Sequence, residues 1–436
     1  MKIENYTTYN QNNISKYRNI ENIDEAVDFL KNPDSFRSFD KGMAELIKKT
    51  DYSGDYNDIG SMTDYLILHL RKIGSAIEKE TVFSWFSGKH CPKIESGSRQ
   101  KIYEICFSLN LTLEDTIWFF QHVYYDRAFN CHTIREAVYY YSFMHNINYH
   151  TALDIIKAIN EAPEPPADNI YQSNYTRFVQ NRIKELSSTD ELIKFLSDNK
   201  GNFNVWNQTA LNTLNKLITK IIGPSESKAD IDTLKRNAAR RLTSNSHSSK
   251  KDTIDITRYK HCGFIIREII SDANETSLYD SPEEYIFDTL HNKNVMKNTF
   301  ILEHLLSSHT GMKKSLDIPY IVRNNFPSKK TMSDVLSDEK ISVSKSYDSI
   351  RKMIILLDFY CFWVDIKLNP DEYSELSSKE RQKIYVEEIN SSLYECGYEE
   401  LYAGNPYDWI FLCSAISEKP LEFFRSYMSE LIPDIF

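Results

Sequence analysis

The stretch Glu78–Leu113 reads EKETVFSWFSGKHCPKIESGSRQKIYEICFSLNLTL. Val82 and Trp85 stand three apart, Gly88 closes a short helix, Pro92 blocks its resumption, and a second amphipathic run starts near Ser98. The pattern is a helix, a sharp stop, then a helix. Working outward, Phe39–Lys49 places Met43, Leu46 and Ile47 on one face, and Met62–Ile73 does the same with Tyr65, Leu66, His69, Leu70 and Ile73. Helices are expected again at 23–31, 113–125, 133–144, 149–159, 187–197 and 205–222, the last stopped by Gly223-Pro224.

Only 12 glycines occur in 436 residues, too few for phosphate-cradling loops, tight hairpins or doubly wound sheets, so the chain is expected to be all-α. Hydrophobic residues make up 41% and charged residues 26%, with a mean hydropathy of -0.49, which is globular composition. A net charge of -10 gives no general attraction to nucleic acid, so phosphate contacts must come from local patches. Seven cysteines without C-x-x-C spacing read as reduced core thiols. A polar start and the absence of any long apolar run point to a cytoplasmic protein without a membrane span.

The Glu78–Leu113 pattern resembles the recognition helix, loop and following helix of a Cro/repressor-type (XRE-like) helix-turn-helix domain. The resemblance implies that Val82 and Trp85 are buried. It also implies that Lys79, Thr81, Ser84 and Ser87 face bases or phosphates in the major groove, with Lys89, His90 and Lys93 touching the backbone from the loop. Glu78 and Glu80 oppose that use, and Phe83 and Phe86 stand where the family has polar residues. These two rings would instead be anchors in a protein partner's groove.

The C-terminal third repeats the theme. Thr331–Ser337 can be laid on Thr81–Ser87, Ser346–Leu357 on Ser98–Leu109, and Val386–Ser414 on Leu113–Ser142, with an insertion near Val364–Tyr385 and a shorter loop between the first two helices of the second copy. Asp334, Asp338 and Glu339 make that copy a poor DNA reader, partly offset by Lys329, Lys330 and Lys340, and a structural or dimerising role suits it better. The chain then divides into a loosely held tail with a short helix (1–38), a helix-turn-helix module with aromatic-rich helices (39–160), a Pro-rich linker (161–169), a helical middle domain (170–310) and the degenerate second module (311–436).

Leu234–Lys251 carries six cations and no acids; Lys235, Arg236, Arg240 and Arg241 are candidate phosphate contacts, although such runs are mostly solvated faces. Trp118-Phe119-Phe120 and Tyr139-Tyr140-Tyr141 read as core rather than as base-stacking platforms. The common nucleotide-binding, hydrolase and zinc-protease motifs are missing. His261-Cys262 and the pair His304 and His309 have the wrong spacing for a helical dyad or metal site. The expectation is a bacterial DNA-binding regulator of transcription or of a mobile element, without catalysis, cofactor or metal. Its partners are duplex DNA and a second copy or another protein; the alternative is a helical scaffold that keeps the fold and binds protein.

Overall fold

The computed structural model describes residues 6–17, 23–92, 96–163, 175–203, 208–222, 236, 317–336 and 343–431. Among them every regular element is helical and no strand occurs. No helix there is long and apolar enough to cross a membrane.

The first half runs α3 (Phe39–Ile47), α4 (Ile59–Lys72), α5 (Lys79–Phe86), α6 (Ser96–Ser108), α7 (Leu113–Phe119), a π-turn (Phe120–Tyr124), α8 (Ile134–Met144), α9 (Tyr149–Glu161), α10 (Tyr175–Glu185) and α11 (Thr189–Asp198). Polar caps fix the starts: Thr112, Thr133 and Asn148 each accept a backbone N–H of the first turn. One apolar core unites these helices. All of Tyr139, Tyr140 and Tyr141 are buried, because α8 is covered by α7, α9 and α10 on different sides. Gly42 on α3 is the point of closest approach to the π-turn, and a Cβ there would overlap both methyls of Val123. Gly42→Ala is therefore expected to cost about 1–3 kcal/mol, although alanine is the better helix former by about 1 kcal/mol. Urea midpoints test this, and the added loss should shrink in a Val123→Ala background.

The second core is built from α12 (Gln208–Ile222), α13 (Tyr320–Asn324), α14 (Lys329–Leu336), α15 (Val343–Leu368), α16 (Pro370–Tyr373), α17 (Ser378–Glu395), α18 (Pro406–Ala415) and α19 (Pro420–Leu431). It also includes the first two helices of the chain, α1 (Tyr6–Ile14) and α2 (Ile23–Lys31). The expected loose tail is thus corrected for residues 6–17, and the short helix expected at 23–31 is present. Trp409 of α18 stacks on Phe29 at 4.7 Å and 18°, its Nε1 donates to the Asn10 carbonyl at 3.2 Å, and Tyr427 donates to the Ala26 carbonyl at 2.9 Å. The expected middle domain is split as well. Helices α10 and α11 join the first core and α12 lies along α15 in the second, while most of 223–316 and of the Pro-rich linker falls outside the described residues.

The two halves share a detailed geometry. In the first, Arg99 on α6 pairs with Glu136, the third residue of α8, at 3.1 Å, and donates to the carbonyls of Arg127 and Ala128. Glu136 in turn accepts the Asn130 N–H. In the second, Arg351 on α15 pairs with Asp408, the third residue of α18, at 2.7 and 2.8 Å, and donates to the carbonyls of Glu399 and Glu400. Asp408 accepts the Tyr402 N–H at 3.0 Å. Phe107 meets Tyr139 edge-on at 5.1 Å, as Phe359 meets Phe411 at 5.4 Å. The helix before each arginine-bound turn ends on a left-handed residue, Tyr125 (φ 58°) or Gly397 (φ 75°). One residue separates the halves here: the Asp126 N–H reaches back six positions to the Phe120 carbonyl, and the Tyr398 N–H five positions to that of Leu393. The extra residue is accommodated as the π-turn.

This geometry corrects the sequence register. Arg351 is the counterpart of Arg99, one helical turn later than the apolar match placed it. The buried Val82, Trp85 and Phe86 correspond to Met332, Val335 and Leu336. Val82 to Arg99 is 17 positions and Met332 to Arg351 is 19; the break between the helices is nonetheless the shorter in the second copy, as expected, because α15 starts eight residues before Arg351 whereas α6 starts three before Arg99. A shift of four residues nearly preserves the face of a helix, which is why the apolar pattern did not expose the slip. The supposed insertion is the extension of α15 together with α16 and the start of α17. The extension forms part of the bed for α12, with the Lys220–Asp365 pair and Cys361 against the Leu217 carbonyl.

Candidate functional site

Helix α4 stops at Gly74 (φ 73°), with the Ser75 N–H returning to the Leu70 carbonyl, and Ile77 is buried in the connection that leads into α5. Helix α5 packs on α3 and α4 through Val82 and Trp85, which are 0% and 1% exposed. Phe86 lies on the same inward face and is 5% exposed, so it cannot anchor a partner; it follows Val82 by one turn. Phe83, by contrast, is 41% exposed at the middle of the helix. Lys79 and Glu80 are exposed, and Thr81, Ser84 and Ser87 are half-buried. The Ser84 hydroxyl donates to the Thr81 carbonyl at 2.7 Å and that of Ser87 to the Ser84 carbonyl at 3.3 Å, leaving their oxygens able to accept.

Lys79 is ion-paired with Asp64 of α4 across open surface. After the Gly88 turn (φ 69°), Lys89 and His90 are exposed; Lys93 lies outside the described residues. The loop is fastened by the second half: Tyr320 donates to the Cys91 carbonyl at 3.4 Å and Asn324 to that of Pro92 at 3.5 Å. The counterpart helix α14 presents less. Ser333, in the place of Phe83, is only 8% exposed. Of the basic run, Arg236 alone is described, exposed in a helical position; Lys235, Arg240 and Arg241 are outside the described residues, as are the His261-Cys262 pair, His304 and His309.

A second feature was not anticipated from the sequence. Where the two arginine-bound turns face each other, a cavity of about 360 Å³ opens, lined by Gln121, His122 and residues 125–127 of the first half with Arg177 of α10, and by Asp348, Arg351 and several residues between 394 and 408 of the second. Equivalent positions meet here: Arg127 donates to the Gly397 carbonyl and lies 3.9 Å from the carboxylate of Glu399, its own counterpart. His122 is hydrogen-bonded to Tyr402, which also accepts from Thr7 at 2.9 Å. Burial, with Arg37 and Lys49 adding to it, lowers the His122 pKa to about 4. An arginine inside each apolar helix, and an acid three residues after each of the caps Thr133 and Asn405, are the marks from which these turns could have been found.

No group of His, Cys, Asp and Glu suited to a metal ion is found among the described residues. No protein-family model, curated protein or solved structure matches the chain, and the reading of its function rests on the geometry of the α5 face and of this cavity.

Proposed function

We propose that the chain is a bacterial, cytoplasmic regulator that binds duplex DNA, with α5 entering the major groove and Lys89 and His90 beside the backbone. The observation that carries this reading is the placement of α5: it turns Val82, Trp85 and Phe86 inward and leaves Lys79, Thr81, Ser84 and Ser87 toward the outside. The Lys79–Asp64 pair does not stand in the way, because a surface pair is worth about 0–1 kcal/mol and a phosphate can displace it. Exposed Glu80 limits non-specific attraction, which places the burden on hydrogen bonds to base edges.

Replacing Lys79 and Lys89 together by alanine is expected to weaken binding to captured genomic fragments and to flatten the log–log salt dependence by about 2. Fluorescence anisotropy at several salt concentrations measures both, and absence of duplex binding by the wild-type chain at low salt would overturn the reading.

Exposed Phe83 favours a second reading, a scaffold that seats this ring in a protein partner. Phe83→Ser then abolishes recovery of one stoichiometric protein while leaving duplex affinity untouched.

A further inference from the structure

Among the described residues, one guanidinium of the cavity between the halves has neither a carboxylate nor a carbonyl partner. Arg351 is taken up by Asp408 and two backbone carbonyls, and Arg127 by the Gly397 carbonyl and Glu399. Arg177 instead lies 3.6 Å over the Tyr394 ring, and its Nε, like that of Arg127, is buried without a hydrogen-bond acceptor. A stacked guanidinium keeps its N–H donors in the plane of the fork, the geometry that suits a carboxylate. The opposite charge is present too. Glu400 is exposed and has no ion pair among the described residues, and Glu399 is half exposed, its one ion pair among those residues being the 3.9 Å contact with Arg127. Asp126, Asp348 and Asp408, which also line the cavity, are held by Arg99, Lys352 and Arg351 respectively.

We propose that this cavity binds a small zwitterion, a free amino acid or a dipeptide, with its carboxylate on Arg177 and its ammonium on Glu399 and Glu400. Both unmatched charges of the cavity are then answered by one ligand. The rings of Tyr394 and Tyr402 among the lining offer surface for the ligand's body, and the volume is at the small end of sites for small molecules. The acidic rim repels phosphates, which separates this ligand class from nucleotides. The site draws on both halves, so a ligand bound there bridges them.

Thermal unfolding of the full chain with each proteinogenic amino acid and a set of dipeptides, at millimolar concentration, tests the assignment. At least one zwitterion is expected to raise Tm by several degrees. Calorimetry should then show affinity falling about tenfold to a hundredfold in Arg177→Met, equivalent to about 1.4–2.8 kcal/mol, and less in Glu400→Gln. The same ligand with its carboxylate amidated should lose binding to the unaltered chain, a result that does not depend on how any variant folds. The assignment is overturned if no zwitterion shifts Tm, if the amidated form binds equally well, or if AMP or inorganic phosphate binds more tightly.

Discussion

Arg351→Met and Arg99→Met are each expected to lower stability by about 3–5 kcal/mol, the range for breaking a buried ion pair from one side. Asp408 is 1% exposed and keeps only the Tyr402 N–H once the guanidinium is gone. Arg99 holds two buried carboxylates, Asp126 and Glu136, so its loss should fall at the upper end. Lysine is no substitute, since a single ammonium cannot serve a bidentate carboxylate and two carbonyls at once. The control is charge removal: Asp408→Asn in the Arg351→Met background keeps an acceptor for the Tyr402 N–H and should recover part of the loss. Urea unfolding followed by far-UV circular dichroism measures all four proteins. A cost below about 1 kcal/mol for either arginine, the level of an exposed pair, would sink the claim that these networks hold the turns in place.

Trp409→Ala is the second large effect, at about 3–5 kcal/mol, as expected for deleting a buried indole. Trp409 is fully buried and lies amid Phe29, Phe36 and Tyr17, so the cavity would open at the point where α1 and α2 dock on α18. The damage should be regional. Hydrogen exchange is expected to show residues 6–31 losing protection while α3–α9, in the other core, keep theirs. Equal loss across both cores, or unchanged protection over 6–31, would contradict the docking described for the first two helices.

Helices with a clear apolar stripe, such as α3, α4, α9 and α11, were readable before any coordinates, and so was the all-helical class. The first helix was not. YTTYNQNNI has almost no stripe, and Asn10 and Asn13 are among its buried residues. Its partner is Trp409, whose position relative to Asn10 no local pattern encodes. Phe86 was misplaced because it was judged by a family's usual residue type rather than by its spacing from Val82. At the candidate sites, the inward face of α5 was legible, whereas the cavity was not, since it arises from two turns that only the assembled halves bring together. The repeat was visible as apolar rhythm, but its true register is carried by Arg99 and Arg351, whose roles depend on distant carbonyls.

The docking of α1 and α2 on the far core also bears on how the chain emerges from the ribosome. Asn10 and Trp409 are separated by 399 positions, and at about 5–20 residues per second the first helices wait roughly 20–80 s for their partner. The core of α3–α9 can close meanwhile, because its residues are contiguous. Ile14, Phe29 and Leu30 are left without their final cover throughout that interval. Slowing translation late in the message should therefore lengthen the exposure of this apolar face and raise the demand for chaperones, whereas slowing it across the first core should favour orderly folding.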